Sequence, residues 1–163
     1  MPDIRDAREE DLQGILAIHN DVIATSTAIY QDEAADLDER RVWWSQRRAQ
    51  GYPVIVALDD RGVAGFASFG EFRSRPGYRF TVEHSVHVRA DVRGQGVGAA
   101  LMDRLLEQAV AMRKHVMIGG IDAENAASLR FHARFGFTEA ARLNQVGFKF
   151  GRWLDLVFVQ RIL

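Results

Sequence analysis

The chain has no cysteine among its 163 residues. Disulfide bonds, thiolate metal sites and a catalytic thiol are therefore excluded. An excess of charge of one sign is also missing, because 21 Lys and Arg residues face 22 Asp and Glu residues and leave a formal net charge of −1. Since no basic surplus is available to neutralise phosphates, we expect neither nucleic acid nor an anionic membrane surface as a partner.

Long apolar runs are missing as well. No stretch approaches the roughly 18 apolar residues that a membrane-spanning helix needs, and the amino terminus lacks the features of a secretory signal. Apolar residues make up 47% and charged residues 26%, as in ordinary globular chains. We therefore expect one cytoplasmic domain over residues 1–163 that is large enough to bury its own core.

Hydrophobic periodicity predicts strands interleaved with helices. We expect strands over residues 4–7, 53–58, 63–69, 80–88, 116–121 and 153–159. Helices are expected to begin with the acidic residues 9–11 and to span residues 38–50, 99–113 and 125–135. This order of elements indicates an α/β or α+β fold around one mixed sheet.

A glycine-rich turn, Gly94-Gln95-Gly96-Val97-Gly98, separates the strand predicted at 80–88 from the helix predicted at 99–113. Closely spaced glycines at such a point let backbone N–H groups converge on an anion, and the helix dipole adds to the attraction. Arg93 stands directly before the turn, where its side chain could meet a phosphate oxygen. The alternative is a turn that merely connects the two elements.

Three kinds of nucleotide site use turns of this sort. A P-loop requires Gly-x-x-x-x-Gly-Lys-Ser/Thr, a string that the chain does not contain. A dinucleotide site requires Gly-x-Gly-x-x-Gly in the first strand–helix unit, whereas this turn is Gly-x-Gly-x-Gly and comes late. Asp122 lies at a suitable distance to hold a ribose, so that interpretation stays open. The third is coenzyme A.

Residues 93–98 match the pyrophosphate-binding pattern Gln/Arg-x-x-Gly-x-Gly/Ala of the GNAT superfamily of acetyltransferases. Residues 125–128 and 131–137 resemble the second signature of that superfamily, a helix that ends in Gly-Phe beside the pantetheine arm. Residues 26–30, 51–54, 78–86 and 147–155 are similar to phosphinothricin and methionine sulfoximine/sulfone N-acetyltransferases, so the resemblance covers essentially the whole chain. It implies a single-domain GNAT fold with a mixed, mostly antiparallel sheet flanked by helices.

The same resemblance implies acetyl-CoA as co-substrate, the α-amino group of a small amino acid or toxic analogue as acceptor, and a homodimer. Methionine sulfone, methionine sulfoximine and phosphinothricin mimic the tetrahedral adduct that forms in glutamine synthesis. Acetylation would therefore detoxify them. The residues expected to contact the coenzyme are Val86, His87, Val88, Arg93, Gly94, Gln95, Gly96, Val97, Gly98, Asn125 and Ser128. No metal is expected.

Two residues are candidates for proton transfer. Glu83 lies on an otherwise apolar strand, where a carboxylate has a raised pKa and can take the ammonium proton. The resemblance also places the general base at Glu83, while a structural carboxylate paired with an arginine is the alternative.

His132 stands where many superfamily members carry a tyrosine near the coenzyme sulfur, and its imidazole could protonate the departing thiolate. A packed, hydrogen-bonded histidine is the alternative there, and His84 is expected to point to the opposite strand face from Glu83.

The substrate loop is expected at Arg73, Ser74 and Arg75, because an arginine fork binds carboxylate, sulfone or phosphinate oxygens in pairs. A solvated basic loop is the alternative, and Phe72 departs from the tryptophan that relatives usually carry. A protein amino terminus or a polyamine is an alternative acceptor; the near-neutral charge and the arginine-rich loop favour an anionic small molecule over a polyamine. A non-catalytic acyl-CoA sensor would lack the base, but Glu83 is present.

Overall fold

A seven-stranded sheet organises the chain, which a computed structural model describes from residue 2 to residue 163. The strands are β1 (Asp3–Asp6), β2 (Val54–Asp59), β3 (Gly62–Glu71), β4 (Thr81–Val88), β5 (Val116–Asp122), β6 (Thr138–Lys149) and β7 (Arg152–Ile162). They lie in the order β1-β2-β3-β4-β5-β7-β6. Every neighbouring pair is antiparallel except β4 and β5, so the expected mixed, mostly antiparallel sheet is confirmed.

Four α-helices cover the two faces of this sheet. They are α1 (Leu12–Thr25), α2 (Leu37–Ala49), α3 (Val97–Ala111) and α4 (Ala126–Arg134). Adjacent side chains of β2 show the division: Ile55 packs with α3, while Val54 and Val56 pack with α1 and α2. Because both faces are covered, β2 is a nearly continuous apolar run rather than an alternating one.

The parallel pair β4–β5 is hydrogen-bonded over only half of its length. The register runs from Thr81 opposite Val116 to His84 opposite Gly119, and no pairing continues beyond that point. The two strands therefore separate, and the edge of residues 85–88 that faces β5 has no strand partner. A splay of this kind leaves backbone N–H groups free to bind a ligand.

The loop between α1 and α2 is fastened across the end of the sheet. Lys149 is 1% exposed, and its Nζ donates hydrogen bonds to the carbonyl oxygens of Ser26 at 2.6 Å and Ile29 at 2.8 Å. Thr27 and Tyr30 of the same loop donate to the Asp122 carboxylate at the end of β5. The loop is thus held beside the point where β4 and β5 separate.

Two expectations about the elements need correction. The third helix begins at Val97 rather than at residue 99, so Val97 and Gly98 lie in its first turn. Strand β6 was not predicted at all, because ten of its twelve residues are exposed and no alternation of apolar and polar side chains marks it. It pairs only with β7, as an edge strand of the sheet.

Candidate active site

A cleft of about 750 Å³ opens where β4 and β5 separate. Most of the residues expected to contact the coenzyme line it: Val86, His87, Val88, Arg93, Gly94, Gly96, Gly98, Asn125 and Ser128. Gln95 and Val97 do not. The Gln95 side chain donates to the Asp91 carbonyl at 3.2 Å, and the Val97 side chain is buried in the core under α3.

The glycine turn at one end of the cleft has left-handed backbone at two positions. Gly94 has a φ of +76° and Gly96 a φ of +87°, a region that side chains other than glycine rarely adopt. A Cβ atom at either position would meet nothing within 4 Å, so the backbone there faces open space. Gly96 is also the N-cap of α3 and offers no capping side chain. The first N–H groups of α3 are therefore free for an anion such as a pyrophosphate.

Asn125 and Ser128 stand at the amino end of α4 and also line the cleft. The Asn125 side-chain oxygen accepts from the Ser128 backbone N–H at 3.1 Å and so caps the helix. Both residues thus fix the wall on which the pantetheine arm is expected to lie.

Glu83 is half-buried on β4, on the sheet face that α2 covers. A Cβ atom at Gly120 of β5, which lines the cleft, would lie 3.9 Å from Glu83 Oε2, so the carboxylate stands beside the cleft wall. Burial raises the pKa of Glu83, while the charge of Arg47 opposes the rise. Among residues 2–163 no cation lies within 4.0 Å of this carboxylate. Glu83 therefore forms no ion pair among these residues, and its role as general base stays a prediction.

Arg47 is a feature of the site that the sequence analysis missed. Its guanidinium lies over Gly70 of β3, where a Cβ atom would be 1.1 Å from Nη1, and Gly70 is the cross-strand neighbour of Glu83. The Arg47 Nε is buried and has no hydrogen-bond partner in the part of the chain that the structure describes. The signal that could have revealed it is Gly70 itself, because glycine inside a strand often marks the close approach of another group.

His132 lies on the other face of the sheet and lines the cleft. It is 7% exposed, with Nδ1 2.7 Å from the Ser128 carbonyl and Nε2 2.9 Å from Nε2 of His84. Burial lowers the pKa of His132, although the Ser128 carbonyl opposes this. His84 does face away from Glu83, as expected, but the sequence did not indicate that it meets His132.

Arg73, Ser74 and Arg75 are all exposed, on the loop between β3 and a short 3-10 helix (Pro76–Tyr78). They do not line the cleft. The Arg73 guanidinium lies over the ring of Phe72, 5.3 Å from its centroid. Neither arginine has a carboxylate within 4.0 Å in the described chain. Their role as substrate ligands stays a prediction.

Asp122 is engaged within the protein. Its carboxylate accepts from the Thr27 hydroxyl and from the Tyr30 hydroxyl at 3.4 Å, and burial together with Asp122 raises the pKa of Tyr30 to about 12. The dinucleotide interpretation therefore loses its ribose acceptor. Within residues 2–163 no group of three or more His, Asp or Glu side chains is placed to hold a metal ion, and no helix has the length and apolarity to cross a membrane.

Comparison with known proteins identifies the class to which this fold and cleft belong. The sequence pattern of the acetyltransferase (GNAT) family matches residues 15–137. The chain belongs to this family, and it is an acetyl-CoA-dependent N-acetyltransferase.

Sequence similarity to its relatives extends over nearly the whole chain. It is 51% identical to an L-methionine sulfoximine/L-methionine sulfone acetyltransferase of Pseudomonas aeruginosa, across 96% of this chain and 92% of the relative. It is 38% identical to a phosphinothricin N-acetyltransferase of Alcaligenes faecalis, across 98% and 82%. The predicted resemblance to this branch of the family is thereby confirmed.

Solved structures show the same fold. A Salmonella typhimurium acetyltransferase with its cofactor acetyl-CoA superposes with a TM-score of 0.96 at 45% identity, covering 100% of this chain and 94% of the other. A ribosomal-protein-alanine N-acetyltransferase from Brucella melitensis also gives a TM-score of 0.96, at 46% identity, covering 98% and 99%.

Proposed function

We propose that this enzyme acetylates the α-amino group of small amino acids that carry a tetrahedral oxo group, namely methionine sulfone, methionine sulfoximine and phosphinothricin. The observation that carries the substrate class is the 51% identity, over 96% of the chain, with a relative of that name. A thiol-release assay with acetyl-CoA and these three compounds tests it, and a rate no higher than that without acceptor would contradict it.

Direct transfer needs a neutral amine, a donor for the carbonyl oxygen and a proton for the leaving thiolate. Glu83 takes the proton of the substrate ammonium at the cleft wall. The unpaired edge of residues 85–88 offers backbone N–H groups to the oxygen on which charge develops. As the new C–N bond forms and the C–S bond breaks, His132 gives a proton to the coenzyme A thiolate.

Arg73 and Arg75 are proposed to bind the acidic or oxo groups of the substrate, since neither guanidinium group has a carboxylate within 4.0 Å among residues 2–163. Lysine keeps the charge but loses the paired geometry of the fork. Arg75→Lys is expected to weaken binding of methionine sulfone by roughly 1–3 kcal/mol, about 5- to 150-fold in its Michaelis constant, and to leave the constant for acetyl-CoA unchanged.

The matched control for that prediction is Arg79→Lys. Arg79 lies in the same loop, but its guanidinium covers the ring of Phe80 and donates to the Pro76 carbonyl at 3.0 Å. If Arg73→Lys and Arg75→Lys both behave like this control, the loop is solvated and has no part in recognition.

A second acceptor is favoured by one comparison, because the relative from Brucella melitensis is named for acetylating a ribosomal protein. The acceptor would then be the α-amino group of a polypeptide. A peptide that begins with alanine, assayed beside methionine sulfone, separates the two functions through their kcat/KM values.

We further propose that the enzyme works as a homodimer. Around its turn, over residues 143–153, the β6–β7 hairpin exposes five large apolar side chains, including Trp153 at 63%, and a second copy of the chain would cover them. The exposed residues are Leu143, Val146, Phe148, Phe150 and Trp153. Sedimentation velocity at micromolar concentration is expected to give a dimer for the native chain and a monomer for Trp153→Glu, and a monomeric native chain would contradict the proposal.

The proposed role of the reaction is detoxification in the cytoplasm. Once its amino group is acetylated, the compound no longer mimics the adduct formed in glutamine synthesis. Expression in a sensitive host should raise the tolerated concentration of methionine sulfoximine, with the activity in the cytoplasmic fraction. Unchanged sensitivity, or activity in another fraction, would contradict the role or the location.

A further inference from the structure

Two buried imidazole rings meet edge to edge in the wall of the coenzyme cleft. His84 of β4 and His132 of α4 are 8% and 7% exposed, and their Nε2 atoms are 2.9 Å apart. Both rings pack on Phe137, with centroid distances of 5.3 Å. A Cβ atom at Gly119 would lie 2.7 Å from Cε1 of His84, so glycine at this position of β5 makes room for the pair.

The opposite nitrogen of each ring shows where the protons are. His84 Nδ1 lies 2.9 Å from the Ile118 carbonyl oxygen, and His132 Nδ1 lies 2.7 Å from the Ser128 carbonyl oxygen. A carbonyl oxygen only accepts hydrogen bonds, so each Nδ1 carries a hydrogen and donates it. A neutral imidazole has one N–H group. Two neutral rings would therefore set two lone pairs against each other at 2.9 Å, which is a hydrogen-bond distance only if a proton lies between them.

We propose that His84 and His132 share one proton between their Nε2 atoms, so that the pair carries a single positive charge in the coenzyme cleft. His84 is then a positioning residue, which holds His132 and keeps the proton available. The shared proton is a property of the free protein. Its delivery to the coenzyme A thiolate rests on the proposed function.

The surroundings oppose a second charge on the pair more strongly than the first, because the charge of one ring lowers the pKa of the other. Among the described residues no carboxylate lies within 4.0 Å of either ring, and the titratable groups that act on His84 are His132 and His87. Burial lowers the pKa of His84 to about 3 and also lowers that of His132, so each ring taken alone is neutral near pH 7, and a charged pair depends on the hydrogen bond between the two Nε2 atoms at 2.9 Å. His87 does not supply a charge, because burial lowers its pKa to about 4. The departing thiolate is thus an anion that the lone positive charge would stabilise.

The proton balance of the reaction closes with this pair. The substrate amine loses its protons to Glu83 and solvent as the C–N bond forms. The C–S bond breaks, the thiolate takes the shared proton, and two neutral rings are left. Their opposed lone pairs then favour uptake of a new proton from water before the next turnover.

Nitrogen NMR of the full chain, labelled with ¹⁵N in its histidines and free of substrates, tests the shared proton at pH 7. We expect both Nδ1 atoms of the pair to be protonated and the two Nε2 shifts to lie between those of protonated and bare nitrogen. A pair in which one Nδ1 is bare, or in which both Nε2 atoms are bare, would overturn the proposal.

The role of His84 in turnover has its own readout. His84→Gln is expected to leave His132 neutral with a bare Nε2, to lower kcat on the order of tenfold or more and to leave the Michaelis constant for acetyl-CoA unchanged. His115→Gln is the matched control, since His115 is exposed and outside the cleft. If His84→Gln does not fold, Gly119→Ala separates the rings instead. A shared proton in the NMR spectrum with wild-type kcat in these variants would refute the role in catalysis while leaving the acetyl transfer itself intact.

Discussion

Replacing Glu83 by glutamine is expected to lower kcat about a hundredfold, the usual scale for the loss of a general base. The substitution keeps the size and polarity of the side chain, so the fold and the Michaelis constant for acetyl-CoA should not change. Raising the pH should partly restore the rate, because an amine that is already neutral needs no base. Steady-state kinetics with methionine sulfone between pH 6 and pH 10 measure both effects.

The pH profile of the native enzyme belongs to the same prediction. Burial raises the pKa of Glu83, and the enzyme loses activity as the pH falls through that value and the carboxylate becomes protonated. Arg47 favours the charged carboxylate, so Arg47→Met should move the acidic limb to higher pH. Glu71→Gln is the control, because Glu71 is an exposed carboxylate on the neighbouring strand. Native turnover in Glu83→Gln would show that water alone deprotonates the substrate.

Gly96→Val is expected to raise the Michaelis constant for acetyl-CoA at least tenfold. Valine resists the φ of +87° that Gly96 adopts, and its side chain would occupy the open space over the first N–H groups of α3. The close approach of the pyrophosphate to the backbone is then lost. Isothermal titration with coenzyme A measures the affinity directly, and circular dichroism verifies the fold.

A substitution at a second glycine separates the effect of backbone strain from the effect of a lost contact with the coenzyme. Gly62, the first residue of β3, has a φ of +105° and lies outside the cleft, and a Cβ atom there also meets nothing within 4 Å. Gly62→Val should therefore cost stability but leave coenzyme affinity unchanged. Equal affinity in folded Gly96→Val and in the native chain would remove the glycine turn from the binding site.

The sequence was sufficient wherever a local rule decides the structure. The apolar runs of β2 and β3, the acidic start before α1 and the glycines before α3 each act over a few residues, and the elements they predict are present within about three residues of the expected bounds. Two spaced motifs of a known family picked out Gly94, Gly96, Gly98 and Asn125, which the structure brings together around one cleft; that they bind the coenzyme stays a prediction. The sequence did not predict strand β6, because its side chains are mostly exposed and only its pairing with β7 defines it.

The contacts that Glu83 and His132 make with other side chains could not be predicted from the sequence, for a different reason. Arg47 approaches Glu83 from a helix 36 positions earlier in the chain, and His84 meets His132 across 48 positions. Such pairs depend on how helices pack on opposite faces of the sheet, and no residue spacing records this. The splay of β4 from β5 is similar, because the strands predicted at 80–88 and 116–121 both run on past the point where their pairing ends.

The central claim is that this chain transfers acetyl from acetyl-CoA to small amino acids that carry a tetrahedral oxo group, and a competition assay tests it most directly. The enzyme is given acetyl-CoA with equimolar methionine sulfone, phosphinothricin, spermidine and a peptide that begins with alanine, and the acetylated products are counted by mass spectrometry. The account predicts that N-acetyl methionine sulfone or N-acetyl phosphinothricin dominates in the native enzyme and that Glu83→Gln loses these products. Preferential acetylation of the peptide or of spermidine would contradict it.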